Sequence, residues 1–107
     1  MKSILTAAAL ALMAGTASAK DARCELTVDG VTYVSGACDF TGDSDGSFRF
    51  FTDDGFAVYA DMRDGKMLGM WNGQFRERHA HESLGLLSRG KTDSACWIND
   101  TARVCAW

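Results

Sequence analysis

At 107 residues, with a formal net charge of −3, an isoelectric point near 5.2 and 23% charged residues, the chain has material for one domain and one modest core. An acidic balance repels phosphate backbones, which sets nucleic acid aside and favours cationic proteins or peptides as partners. Domains of this size bury a limited share of their surface and commonly need covalent staples.

The chain opens on MKSILTAAALALMAGTASA, with one basic residue, Lys2, an apolar stretch from Ile4 to Ala14, and the small-x-small ending Ala17-Ser18-Ala19. That pattern predicts an export signal over residues 1–19, cut before Lys20. As a membrane span it is too short, since a bilayer core needs roughly 20 apolar residues. Residues 20–107 are then expected to form a single β domain, without a membrane span, in the periplasm or outside the cell.

Short runs of β-branched and aromatic residues alternate with turn signals through that domain. CELTV leads into Asp29-Gly30 and VTYV, a strong hairpin signature. SFRFF follows the Gly- and Asp-rich TGDSDG. Asp53-Asp54-Gly55 separates it from FAVYADM, and Asp64-Gly65 separates that from KMLGMW, which ends at Asn72-Gly73. Arg89-Gly90 precedes a last pair, ACWI and ARVCA. About six to eight short strands at intervals of roughly 10 residues predict an all-β fold, a small antiparallel β-barrel or sandwich. Alternation in FAVYADM puts Phe56, Val58 and Ala60 on the core face. In SFRFF it places Phe48 and Phe50 together and leaves Phe51 as a second-face contact or an exposed patch. Only AHESLGLLS carries helix-like spacing, through His81, Leu84 and Leu87, and it predicts a short helical turn.

All four cysteines, Cys24, Cys38, Cys96 and Cys105, lie beyond the leader, and an even count in an exported chain predicts two disulfides. Three pairings are possible, and spacing favours neighbours. Cys24 with Cys38 would close a loop of about 15 residues, a constraint worth roughly 3 kcal/mol in the chain-entropy model. Cys96 with Cys105 would clasp a hairpin around Asn99-Asp100, with Trp97 and Trp107 expected to cover one end of the barrel. No C-x2-C spacing supports a zinc site, and no C-x-x-C supports redox chemistry.

Charge is divided unevenly. Residues 20–64 carry Lys20, Arg23, Arg49 and Arg63 against ten acidic side chains, whereas residues 65–107 carry six basic side chains against Glu77, Glu82, Asp93 and Asp100. The string TGDSDGS resembles half of a calcium loop. It lacks a leading carboxylate, where Thr41 stands, and a terminal glutamate, where Thr52 stands, so it reads as an acidic hairpin turn. RERHAHESLG concentrates Arg76, Glu77, Arg78, His79, His81 and Glu82. On a strand His79 and His81 would face one side and could share a metal, but the two arginines oppose a dication. Ser83 nearby completes no nucleophile-and-base arrangement, and a barrel of this size fills its interior with its own side chains. Catalysis is therefore not expected, and no cofactor is called for. Beside Trp71, Asn72 and Gln74 the segment reads as a contact loop or an inert turn. Asn99-Asp100-Thr101 fits the N-glycosylation pattern and is read here as a turn.

Export, size, cysteine staples and the expected barrel resemble one family, the small periplasmic inhibitors of C-type lysozyme. Its better-known branch carries a Ser-Gly-x-Arg/Lys-Tyr loop. Here Ser35-Gly36-Ala37 is followed by Cys38 and Asp39, so only Ser35 and Gly36 carry over, and Arg76, Arg78 or Arg89 would have to supply the positive charge from another loop. The resemblance implies a binding protein that blocks a lysozyme cleft, with Ser35, Gly36, Arg76, Arg78, His79, His81 and Arg89 as contact residues. The alternatives are a metal-binding envelope protein using His79 and His81, and a structural envelope protein without a soluble ligand.

Overall fold

A computed structural model describes residues 20–73 and 79–107. Eight antiparallel strands in sequence order close into a barrel: β1 (Lys20–Val28), β2 (Val31–Gly42), β3 (Phe48–Phe51), β4 (Ala57–Arg63), β5 (Lys66–Trp71), β6 (Glu82–Arg89), β7 (Cys96–Ile98) and β8 (Ala102–Ala106), with β8 returning to pair β1. The expected all-β class and both neighbour disulfides, Cys24–Cys38 and Cys96–Cys105, are present. Among the described residues no helix is long and apolar enough to cross a membrane.

The turns follow directly from residue chemistry. Asp29-Gly30 and Asp64-Gly65 take positive φ at both positions, 51° and 81° in the first and 51° and 82° in the second. These are the backbone angles whose twist matches that of the flanking strands, and aspartate and glycine tolerate them best. In the acidic turn, Asp45 accepts the Ser47 N–H at 2.9 Å and Asp43 N–H reaches Ser47 O at 2.8 Å. TGDSDGS is thus a self-bonded hairpin connection.

Strand alternation fills the interior. Phe50, Leu26, Met67, Leu87, Val58 and Val104 are fully buried, and Phe48, Phe56 and Ala60 join them, as alternation predicted. Each large side chain removed from water contributes roughly 1.5–3 kcal/mol. Cys24–Cys38 lies within this core, whereas Cys96–Cys105 joins directly opposed residues on the outer face and is buried there. Trp97 points inward at 6% exposure, while Trp107 is 47% exposed and donates from Nε1 to Asp93 Oδ2 at 3.1 Å. Both tryptophans stand beside the connection from β6 to β7, where Arg89 stacks on Trp97 and Asp93 accepts from Trp107, with Trp97 as core and Trp107 exposed. Phe51 is 38% exposed and packs edge-on against Tyr59 on the outer surface, so it is both contact and patch.

The helical turn expected in AHESLGLLS is a strand. The register of β5 with β6 slips between Gly69 and Met70, so that Gly69 faces Gly85 while Met70 faces Ser83. This bulge adds one residue at Leu84–Gly85, and Gly85 takes φ +82°. Leu84 and Leu87 consequently both point inward three positions apart, a spacing that imitates a helix. Gly69 makes room for them, because a Cβ there would stand 3.0 Å from both Leu84 Cβ and Leu87 Cδ1.

Two seams of the barrel are short. β3 pairs β2 only from Asp39–Phe51 to Gly42–Phe48, and β7 pairs β6 only at Ser88–Ile98 and Arg89–Trp97. At the second seam Asn99 takes over where β7 ends. Its Nδ2 donates to Leu84 O (2.9 Å) and Leu86 O (3.2 Å), while Oδ1 accepts from Thr101 N–H (2.9 Å) and Ala102 N–H (2.7 Å). The amide that a glycan would need is committed to the β6 edge.

Candidate binding site at the acidic end

In a meander alternate connections lie at the same end of the barrel. One end therefore gathers the turn at Asp29-Gly30, the loop Thr52–Phe56, the connection beginning at Asn72, and the turn Asn99–Thr101. Those connections and their immediate flanks place Asp29, Asp53, Asp54, Glu82 and Asp100 around one rim, all exposed, with no lysine or arginine in them among the described residues. The other end mixes Arg63, Lys66, Arg89 and Lys91 with Asp43, Asp45, Asp64 and Asp93. Among the described residues, like charges grouped at one rim set a negative potential that the mixed rim does not.

Beneath the acidic rim lies an aromatic floor. Tyr33 meets Trp71 at a ring separation of 4.8 Å and Phe56 at 6.0 Å, and Phe56 and Trp71 stack at 6.4 Å. Trp71 and Phe56 are buried. Buried Asn72 fastens the neighbouring loop, donating to Gly55 O at 2.9 Å and accepting Ala57 N–H at 3.1 Å. Thr52 Oγ1 donates to Asp54 at 2.6 Å and accepts Phe56 N–H at 3.0 Å, fixing the loop internally.

Three depressions run around this end and share lining residues. Tyr33, Ser35, Gly36, Thr52, Asp53 and Asp54 border the first. The second, of about 530 Å³, takes in Asp29, Tyr33, Trp71, Glu82 and Thr101, and the third includes Asn72, His79, His81 and Glu82. Tyr33 links the first to the second and Glu82 the second to the third, so Ser35, Gly36, His79 and His81 belong to one end of the molecule.

Ser35 is exposed on β2, and Gly36 sits opposite Cys24 with φ +151°. His79 and His81 precede β6 rather than lying within a strand. His81 N–H bonds His79 O at 2.9 Å, and the rings meet edge-on at 5.8 Å. Among the described residues no group of three or more histidine, cysteine or acidic side chains is placed to hold a metal ion. Arg89 lies at the opposite end, where its guanidinium stacks 4.2 Å above Trp97 and Nη1 donates to Ser94 O at 2.7 Å. It thus borders a different depression from Ser35, the one lined by Asp43, Ser47 and Trp97. Arg76 and Arg78 lie outside the described residues.

Sequence reasoning missed the rim itself. Its signal was present, because Asp29, Asp53, Asp54 and Asp100 occupy the first, third and seventh connections of a meander, and odd-numbered connections share an end. The aromatic floor carried no such signal, since Tyr33, Phe56 and Trp71 come from three separate parts of the chain. No protein-family model matches this chain, and neither a curated protein nor a solved structure matches it.

Proposed function

We propose that this chain is an extracytoplasmic binding protein, exported by residues 1–19, whose acidic rim docks a cationic protein. The partner we propose is a C-type lysozyme, inhibited by occlusion of its cleft. The observation that carries the reading is the segregation of Asp29, Asp53, Asp54, Glu82 and Asp100 around one end, above the floor of Tyr33, Phe56 and Trp71. Acidic potential steers a cationic protein to that end, and Tyr33, the half-buried member of the floor, offers it an aromatic contact while buried Phe56 and Trp71 hold that ring in place. Two disulfides fit an oxidising compartment, where such a partner is met. The family that the chain resembles approaches lysozyme through a Ser-Gly loop, and Ser35-Gly36 borders the same rim. With Arg89 at the far end, steric cover and attraction between net charges replace insertion of a base from that position.

The test is titration of the purified exported protein into a C-type lysozyme assay at low and high salt. Inhibition at micromolar excess that weakens as salt screens the rim is expected. Full lysozyme activity under a micromolar excess of the protein would sink the proposal.

A further inference from the structure

The first seam of the barrel exposes main-chain hydrogen-bonding groups. Arg23 and Trp107 exchange both of their main-chain bonds, at 3.2 and 2.8 Å, so odd-numbered residues of β1 bond β8 and even-numbered ones bond β2. The register then matches Ala22 with Cys38 and Cys24 with Gly36. Even-numbered residues of β2 in this region therefore turn their N–H and C=O toward β1. Ser35 and Ala37 turn theirs the other way, toward the line of β3. But β3 begins to pair β2 only at Asp39, and among the described residues nothing bonds the main chain of Ser35 or Ala37 from that side.

An open strand edge is a template for another strand. Facing it across a cleft of about 340 Å³ are Thr52, Asp53 and Asp54. A second depression shares Ala37 and Asp53 with this cleft and continues along β2 past Asp21 and Asp39. The open edge thus runs through a groove bordered by four carboxylates. A second copy of the chain would bring the same four against their own kind, so edge-to-edge pairing of copies is opposed. An extended segment rich in lysine or arginine meets both requirements, with main-chain groups for Ser35 and Ala37 and charge for the rim.

We infer that the β2 edge at Ser35–Ala37 is a strand-addition site for an extended cationic segment of a partner protein. This rests on the reading of a cationic partner above and adds where and how such a partner is held. Main-chain pairing gives the register, and the carboxylates of Asp21, Asp39, Asp53 and Asp54 select charge.

The probe is a short peptide of alternating lysine and threonine, compared with the same peptide N-methylated at every second residue, which keeps the charge and removes the donors facing β2. Amide exchange followed by NMR on the intact protein is expected to slow at Ser35 and Ala37 on adding the first peptide. N-methylation should weaken binding about tenfold or more, the loss of two main-chain bonds of roughly 1 kcal/mol each. Asp53→Asn with Asp54→Asn should weaken it several-fold while leaving the fold unchanged, because the side-chain amide oxygen introduced at position 54 still accepts from the Thr52 hydroxyl. Equal binding of the two peptides would overturn the inference, as would protection confined to the turns at Asp29 and Asp100. Exchange at Ser35 and Ala37 that is already slow in the free protein would also overturn it, and its dependence on concentration would say whether a second copy or another part of the chain fills the edge. Protection at Ser35 and Ala37 by the peptide, with no effect on lysozyme, upholds the edge and removes only the lysozyme. Lysozyme inhibition without any such protection does the reverse.

Discussion

Replacing Asn99 by alanine should cost about 2–3 kcal/mol of stability, a large share of what a domain of this size possesses. The side chain makes four bonds to main-chain groups, two to β6 carbonyls and two from the N–H groups that begin β8. The bonds to Leu84 O and Ala102 N–H are partly buried, and each contributes roughly 1–1.5 kcal/mol because water replaces it poorly. Those to Leu86 O and Thr101 N–H are exposed and are replaced at little cost. Truncation also removes hydrogen bonds that fasten the β6 edge beyond the reach of β7. Thermal unfolding with both disulfides intact should show a midpoint lowered by roughly 10–20 °C. Asn99→Asp keeps the acceptor but sets a carboxylate oxygen against the Leu84 and Leu86 carbonyls, so its loss adds repulsion to the missing bonds to β6. A midpoint within about 2 °C of the parent for both variants would refute the view that this side chain closes the second seam.

Removing either disulfide by paired cysteine-to-alanine changes should cost roughly 3 kcal/mol in urea unfolding, with the loop of sequence separation 14 losing slightly more than that of separation 9. A cost near zero for either would mean that the reduced chain is already held together there. Leu87→Ala and Leu84→Ala should each destabilise by about 2–4 kcal/mol, whereas Leu86→Ala, 54% exposed, should change stability by less than about 0.5 kcal/mol. Equal effects at all three would contradict the bulged strand. The Asp45 carboxyl is held below its ordinary value chiefly by the Ser47 N–H and then by the Ser47 hydroxyl. Ser47 Oγ accepts Met62 N–H at 2.8 Å, which leaves its proton for Asp45. A carboxyl with a folded-state pKa below the unfolded one adds stability above the unfolded value and loses it as pH falls through the folded value. NMR titration should place Asp45 below the ordinary aspartate value, and Ser47→Ala, which keeps the N–H and removes the hydroxyl, should move it part of the way up; an unmoved Asp45 would refute the hydroxyl's share.

Much of this molecule follows from local chemistry. Asp-Gly pairs fix two hairpins because only a few residue types tolerate the backbone angles required, and the period-two pattern of FAVYADM and SFRFF assigns Phe48, Phe50, Phe56, Val58 and Ala60 to the core. Even cysteine count and spacing point to the staples that form. Where the sequence misleads, a non-local cause is at work. Leu84 and Leu87 look helical because a bulge opposite Gly69 inserts one residue, and nothing within β6 reports what packs across from it. His79 and His81 draw attention by their proximity in sequence, yet they sit in a turn before β6 and not on one face of a strand.

The chain by itself determined the class of fold, the turns, the staples and an acidic character, since each depends on residues within a few positions or on a count. Tertiary structure decided what those residues do together. Barrel closure sent Arg89 to the end opposite Ser35, gathered five carboxylates at one rim over Tyr33, Phe56 and Trp71, and left Ser35 and Ala37 on an open edge because β3 is shorter than β2. Strand length and register are set by long-range pairing, so which residues share an end or an edge is settled only once the sheet closes.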